Sequence, residues 1–143
     1  MPFTNIYIHY VWATKNRERI LTNPLRHLLF DHIRLNAKSK KIIIDRINGH
    51  LEHVHCLICL QPTQTVDNIA KLLKGESSHW FNNKSKISHH KLAWQDDYFA
   101  VSVSKSSIDT VRSYIDNQEL HHQKKTFTEE YAEFIKKYSF ESK

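Results

Sequence analysis

The chain is poor in the residues that make flexible or cross-linked proteins. Its 143 residues include two glycines, three prolines, two cysteines and one methionine. With only Gly49 and Gly75 available, no glycine-rich phosphate loop can be built. Cys56 and Cys59 lie on one candidate strand at odd spacing, hence on opposite faces, and should not bond to each other. Unpaired thiols suit a reducing compartment, and the expectation is a cytoplasmic protein. No apolar run is long enough to span a membrane. The first residues, "MPFTNIYIHYVWATKNR", lack the basic stretch and apolar core of a signal peptide. No low-complexity linker, repeat or composition break interrupts the chain, so a single domain over 1–143 is expected.

What is present is ordinary for a globular protein, 40% hydrophobic and 25% charged residues, with one bias: a net charge of +6 before eleven histidines are counted. A basic balance favours a polyanionic partner. The patterning predicts a strand in "NIYIHYVWAT" (5–14) and, after Pro24, an amphipathic helix over 24–40. Strands follow at 41–49 and 53–60, joined through a turn containing Gly49. Thr65 can cap a helix over 66–83, although Gly75 weakens it. A fourth strand is predicted at 98–104, a helix at 107–123, and a last helix opened by a capping box of Thr126 and Glu129. The order β-α-β-β-α-β followed by two helices predicts an α+β protein. It is a ferredoxin-like split β-α-β sandwich, an antiparallel sheet of about four strands with crossover helices on one face. The other face is expected to be bare, with the trailing helices surplus to the core.

The third strand, "HVHCLICL", carries the first chemical signal. Alternation puts His53 and His55 on one face and Val54, Cys56, Ile58 and Leu60 on the other. The apolar set belongs under the helices, so the imidazoles project from the bare side. Two imidazoles side by side on a rigid strand can hold one metal ion. They can equally be two polar residues at a strand end. On the later helix, Tyr114 and Gln118 are one turn apart and share a face. Singly, an interface tyrosine and a solvated glutamine explain them.

Taken together, these residues resemble the HUH single-tyrosine transposases of bacterial insertion sequences, the IS-two-hundred-like group, with the REP-associated tyrosine transposases as relatives. "HVH" matches the family's His-hydrophobe-His motif. "SYIDNQELHHQKKTF" resembles its tyrosine helix, "VWATKNR" its first strand and loop, "WQDDYFAVSVS" the approach to its fourth strand, and "FTEEYAEFIKKY" its closing helix. The chain departs from the family where Leu51–Glu52 replaces a common Pro-Asp before the histidine pair. Glu52 falls on the strand face away from the histidines, and His50 is expected at the surface.

The resemblance implies a DNA transposase that cleaves and rejoins single-stranded DNA at hairpin-bearing element ends. Tyr114 would be the nucleophile, forming a 5′-phosphotyrosine. His53, His55 and Gln118 would hold a divalent metal, Mg²⁺ or Mn²⁺, with Zn²⁺ a competitor for a two-histidine site. The family also implies a homodimer with the tyrosine helix exchanged between subunits. The "KSS" connector (105–107) points the same way, since so short a link limits where the helix can reach. Among the basic residues, Lys15, Arg17 and Arg19 after the first strand and Lys71 and Lys74 on the second helix are candidates for DNA contact. Three other readings compete: a non-enzymatic nucleic-acid-binding module on the same sheet, a domesticated transposase, and a replication or relaxase-type nickase. A sheet-binding module would carry aromatics, not histidines, on its open face.

Overall fold

The computed structural model describes residues 2–83 and 90–138. Nine elements matter here. They are β1 (Ile6–Ala13), α1 (Asn23–Ser39), β2 (Ile43–Gly49), β3 (His53–Leu60), α2 (Val66–Asn83), β4 (Phe99–Val103), α3 (Ile108–Asp116), α4 (Gln118–His122) and α5 (Phe127–Tyr138). The strands form one antiparallel sheet in the order β2-β3-β1-β4. That is the expected split β-α-β arrangement, with the two central strands buried between neighbours.

Strand alternation sorts the core as the sequence requires. Ile8, Tyr10 and Trp12 of β1 join Val54, Cys56 and Ile58 of β3 and Ile47 of β2 beneath α1 and α2. Leu29, Ile33 and Ala37 of α1 and Ile69, Ala70 and Leu73 of α2 close this layer. The caps follow their residue chemistry: Asn68 N–H donates to Thr65 Oγ1 at 3.2 Å and Glu129 N–H to Thr126 Oγ1 at 3.2 Å. Among the described residues, no helix is long and apolar enough to cross a membrane.

The opposite face is not bare. Phe127 and Phe134 of α5 pack on Val11 and Ala13 of β1, with Phe99, Tyr114, Tyr131 and Tyr138 around them. The trailing helices therefore form a third layer. Their apolar stripe, spaced four, three and four residues along α5, needs an apolar surface, and the histidine side of the sheet supplies it.

The tyrosine helix also differs from its expected form. It stops at Asp116, and Asn117 (φ −101°, ψ 22°) separates α3 from α4. Asn48 Nδ2 donates to the carbonyls of Ile115 (2.9 Å) and Asp116 (3.2 Å), taking acceptors that a continuous helix would have used. The short connector, now a single turn at Lys105–Ser107, does not keep the helix from its own sheet, contrary to the expectation from its length. The helix lies over β2 of the same chain, held where Arg112 makes paired hydrogen bonds, each 2.8 Å, to Asp45. Asp45 sits at a register shift in the β2–β3 ladder, which turns its carboxylate toward α3.

Candidate functional site

The site grows from β3. His53 and His55 are fully buried and face the helix layer α3–α5. The hairpin that leads into β3 is tight. A Cβ on Gly49 would lie 2.2 Å from the carbonyl oxygen of His53, so glycine is required for the two strands to close there.

Each imidazole is oriented from behind. His53 Nδ1 is 2.8 Å from Glu52 Oε1, so the ring donates to the carboxylate and its Nε2 is left free to act as a ligand. Glu52 is thus not on the far side of the strand. It precedes the first strand residue, where pleat alternation does not yet hold, and its side chain turns back along His53. His55 Nδ1 is 2.9 Å from Nε2 of His9, a buried residue of β1. Burial, with the nearby His55, pushes the His9 pKa down to about 3 and keeps it neutral. Burial likewise holds His55 at about 4, against the pull of Glu130. Neutral imidazoles are the metal-binding form.

Gln118, at the start of α4, is fully buried and places Oε1 3.1 Å from His53 Nε2. The fourth group comes from α5. Glu130 puts Oε1 3.0 Å from His55 Nε2 and 3.4 Å from His53 Nε2. Donors each about 2.1 Å from a shared ion stand roughly 3.0–3.4 Å apart at octahedral or tetrahedral angles. His53, His55 and Glu130 are therefore spaced as a ligand group for a divalent ion, with the Gln118 amide oxygen beside His53. Burial opposes ionisation of Glu130, but the imidazoles of His122, His55 and His53 outweigh it and hold the carboxyl well below the usual range.

Tyr114 lies at the open side of this cluster. Its ring centroid is 5.5 Å from that of His55, and its hydroxyl makes a very short hydrogen bond to Glu130 Oε2. Burial, reinforced by the Glu130 charge, raises the phenol's pKa. The ring borders a cleft with His9, Val111, Glu133, Phe134 and Lys137 along its walls.

The structure thus brings Tyr114, His53, His55 and Gln118 together in one chain. It adds Glu130, His9, His121 and His122, which the sequence alone had not singled out. Glu130 had left a trace: it stands in the apolar stripe of α5 between Phe127 and Phe134, where an acid has no reason to be unless it is paired. His50 is not a surface residue either. It is half-buried and stacks on His122, ring centroids 5.1 Å apart.

The basic candidates divide. Lys15 is exposed. Arg17 lies over the rings of Phe127 and Tyr131 and donates to Thr128 Oγ1. Arg19 is 3.7 Å from Glu52, at the edge of a cleft shared with Arg17 and His122. Lys71 pairs with Asp67 at 2.8 Å. Lys74 is spent on the loop carbonyls of Gln95 and Asp96, which makes it a structural residue. Arg17 and Arg19 are therefore close to His50 and His122 in space, and Lys71 and Lys74 stand apart on α2.

Comparison with known proteins agrees on the fold and adds a family. The sequence profile described as "Transposase IS200 like" matches residues 2–118. The ISDra2 transposase TnpA of Deinococcus radiodurans is 26% identical over 115 residues, covering 77% of this chain and 81% of the relative. A crystal structure from Deinococcus radiodurans R1, described as that of a transposase, superposes with a TM-score of 0.66 at 24% identity, covering 82% of this chain and 93% of that one. The structure of a REP-associated tyrosine transposase bound to a REP hairpin gives a TM-score of 0.63 at 14% identity, covering 85% and 71%.

Proposed function

The chain belongs to the IS200-like transposase family, and from that premise we propose that it cleaves and rejoins single-stranded DNA through Tyr114 with a divalent metal held by His53, His55 and Gln118. The observation that carries the proposal is the gathering of the Tyr114 hydroxyl and two buried imidazoles around the Glu130 carboxylate, with a buried amide oxygen beside His53.

A divalent ion bound there would supply positive charge to a non-bridging phosphate oxygen and make phosphorus more electrophilic. The chain's own groups do the rest. Glu52 fixes the tautomer and orientation of His53, and His9 orients the ring of His55. The Tyr114 oxygen attacks phosphorus in line as its proton passes to the Glu130 carboxylate it already bonds, forming a 5′-phosphotyrosine while the 3′ oxygen leaves and takes up a proton. The ester is conserved, so a second 3′-hydroxyl can displace the tyrosine and join the strands without ATP. Two imidazoles and an amide oxygen suit Mn²⁺ somewhat better than Mg²⁺. Arg17 and Arg19 line the neighbouring cleft and would meet DNA phosphates there.

The DNA partner is inferred from the family and from the hairpin carried by a structural relative. A homodimer with exchanged tyrosine helices would build the same site from two chains. The contacts Arg112–Asp45 and Asn48–Ile115 can form within a chain, as here, or across a two-fold axis.

The test is incubation with single-stranded DNA from the gene's flanks and Mn²⁺, followed by denaturing electrophoresis. A covalent adduct that disappears in Tyr114→Phe supports the assignment. An adduct undiminished in Tyr114→Phe overturns it and points to Tyr98, Tyr131 or Tyr138.

A further inference from the structure

The two carboxylate oxygens of Glu130 serve different neighbours, and Oε2 has more beside it than the Tyr114 hydroxyl. Oε1 meets His53 and His55, while Oε2 lies 3.0 Å from His121 Nε2 and 3.4 Å from His122 Nε2. Both of these nitrogens are buried, and neither makes an aligned hydrogen bond. The side chain of His122 is only 2% exposed. Buried ring nitrogens without a hydrogen-bond partner are rare and call for an explanation. Two of them converging on one ionised oxygen are what a cation would satisfy.

We propose that His121, His122 and Oε2 of Glu130 form a second cation site, bridged through Glu130 to the His53–His55 pocket, that takes a borderline transition-metal ion such as Zn²⁺ or Co²⁺. The three donors are close enough to one another to share an ion. Two imidazoles and a carboxylate favour such an ion over Mg²⁺, which prefers all-oxygen ligands and retains its waters. His122 is oriented by the ring of His50, stacked on it at 12°. The site lies beside the nucleophile, because the Tyr114 hydroxyl bonds the same oxygen. A cation there favours the phenolate, the form that attacks.

The inference rests on the reading of His53, His55 and Gln118 only in sharing Glu130, and the two sites can be counted separately. The metal-stripped full chain is titrated with Co²⁺, following calorimetry and the visible ligand-field absorption, with circular dichroism as the check of folding. The wild type should take two equivalents. His121→Gln with His122→Gln should take one, and His53→Ala with His55→Ala should keep the other, with a different visible spectrum. If the double glutamine variant does not fold, His121→Gln alone should weaken one of the two equivalents by about tenfold or more. A single equivalent in the wild type that is still bound after both glutamine substitutions overturns the second site. So does a second equivalent that survives unweakened in the glutamine variants, which would be binding elsewhere on the surface. Loss of the His53–His55 equivalent alone would instead count against the earlier reading and leave the second site standing.

Discussion

The Tyr114 hydroxyl donates to the Glu130 carboxylate, joining a residue of α3 to one sixteen positions later on α5. The last helix is thereby part of the site and not merely a cover for the sheet. Its acid touches the Tyr114 hydroxyl and both strand histidines at once.

Removing that acid should be costly. Glu130→Ala leaves His55 and the Tyr114 hydroxyl without their buried partner, and an unsatisfied buried group costs about 1–3 kcal/mol. Glu130→Gln keeps the shape and most of the bonds. Thermal unfolding should rank wild type above Glu130→Gln and Glu130→Gln above Glu130→Ala. Equal melting of the two variants would show that the carboxylate's contacts contribute nothing.

Metal removal should separate chemistry from binding. Chelation, or His53→Ala, should abolish cleavage and leave hairpin affinity nearly unchanged in a gel-shift assay. Gln118→Ala should be milder, because a neutral amide is the weakest ligand of the set.

The residue behind His53 should matter almost as much as the ligand. Glu52→Gln removes the charge that fixes the ring, and such outer partners are worth about 10–100-fold in metal affinity. Calorimetric titration with Mn²⁺ measures this directly, and an unchanged affinity would show that Glu52 does not orient the ring.

Anchoring of the tyrosine helix should depend on acid. The hydrogen bond and charge of Arg112 lower the pKa of Asp45 despite its partial burial. A carboxyl depressed in the folded state contributes stability above its unfolded pKa, about 3.9, and loses it as pH falls through the folded value. Urea midpoints should therefore drop below about pH 4 more steeply in wild type than in Asp45→Asn. Parallel pH curves would remove the pair from the anchoring account.

Subunit mixing decides how the helix is shared. Tyr114→Phe and His55→Ala proteins are each expected to be inactive. Exchange restores one complete site in their heterodimer, and a helix kept on its own sheet restores none. The double mutant paired with wild type should be dead under exchange and active otherwise.

The fold was largely legible because alternation and helical spacing are local. The faces of β3, the caps at Thr65 and Thr126 and the strand order all follow from short windows of sequence. What stayed hidden was long-range. The break at Asn117 depends on Asn48 reaching across from β2. The histidine side of the sheet looked uncovered because nothing near His53 indicates that Phe127 will stack on it, ring centroids 4.1 Å apart. The candidate site was half legible. His-x-His and Tyr-x-x-x-Gln are patterns within single elements, whereas Glu130 and His9 reach the centre only through tertiary packing. Lys74 misled because charge alone does not say whether an ammonium faces solvent or loop carbonyls.

The burial of the donor set has a kinetic meaning. His53, His55 and Gln118 have no exposed surface, and Glu130 has almost none. The cleft beside Tyr114 reaches Glu130 but is not lined by the two strand histidines or Gln118. An ion or a phosphate would reach them most directly through a local opening of the Phe127–Phe134 seam. Local openings of this kind have their own free energy, below that of global unfolding. Amide exchange along α5 would report how often that seam opens, and so how quickly the centre could be loaded.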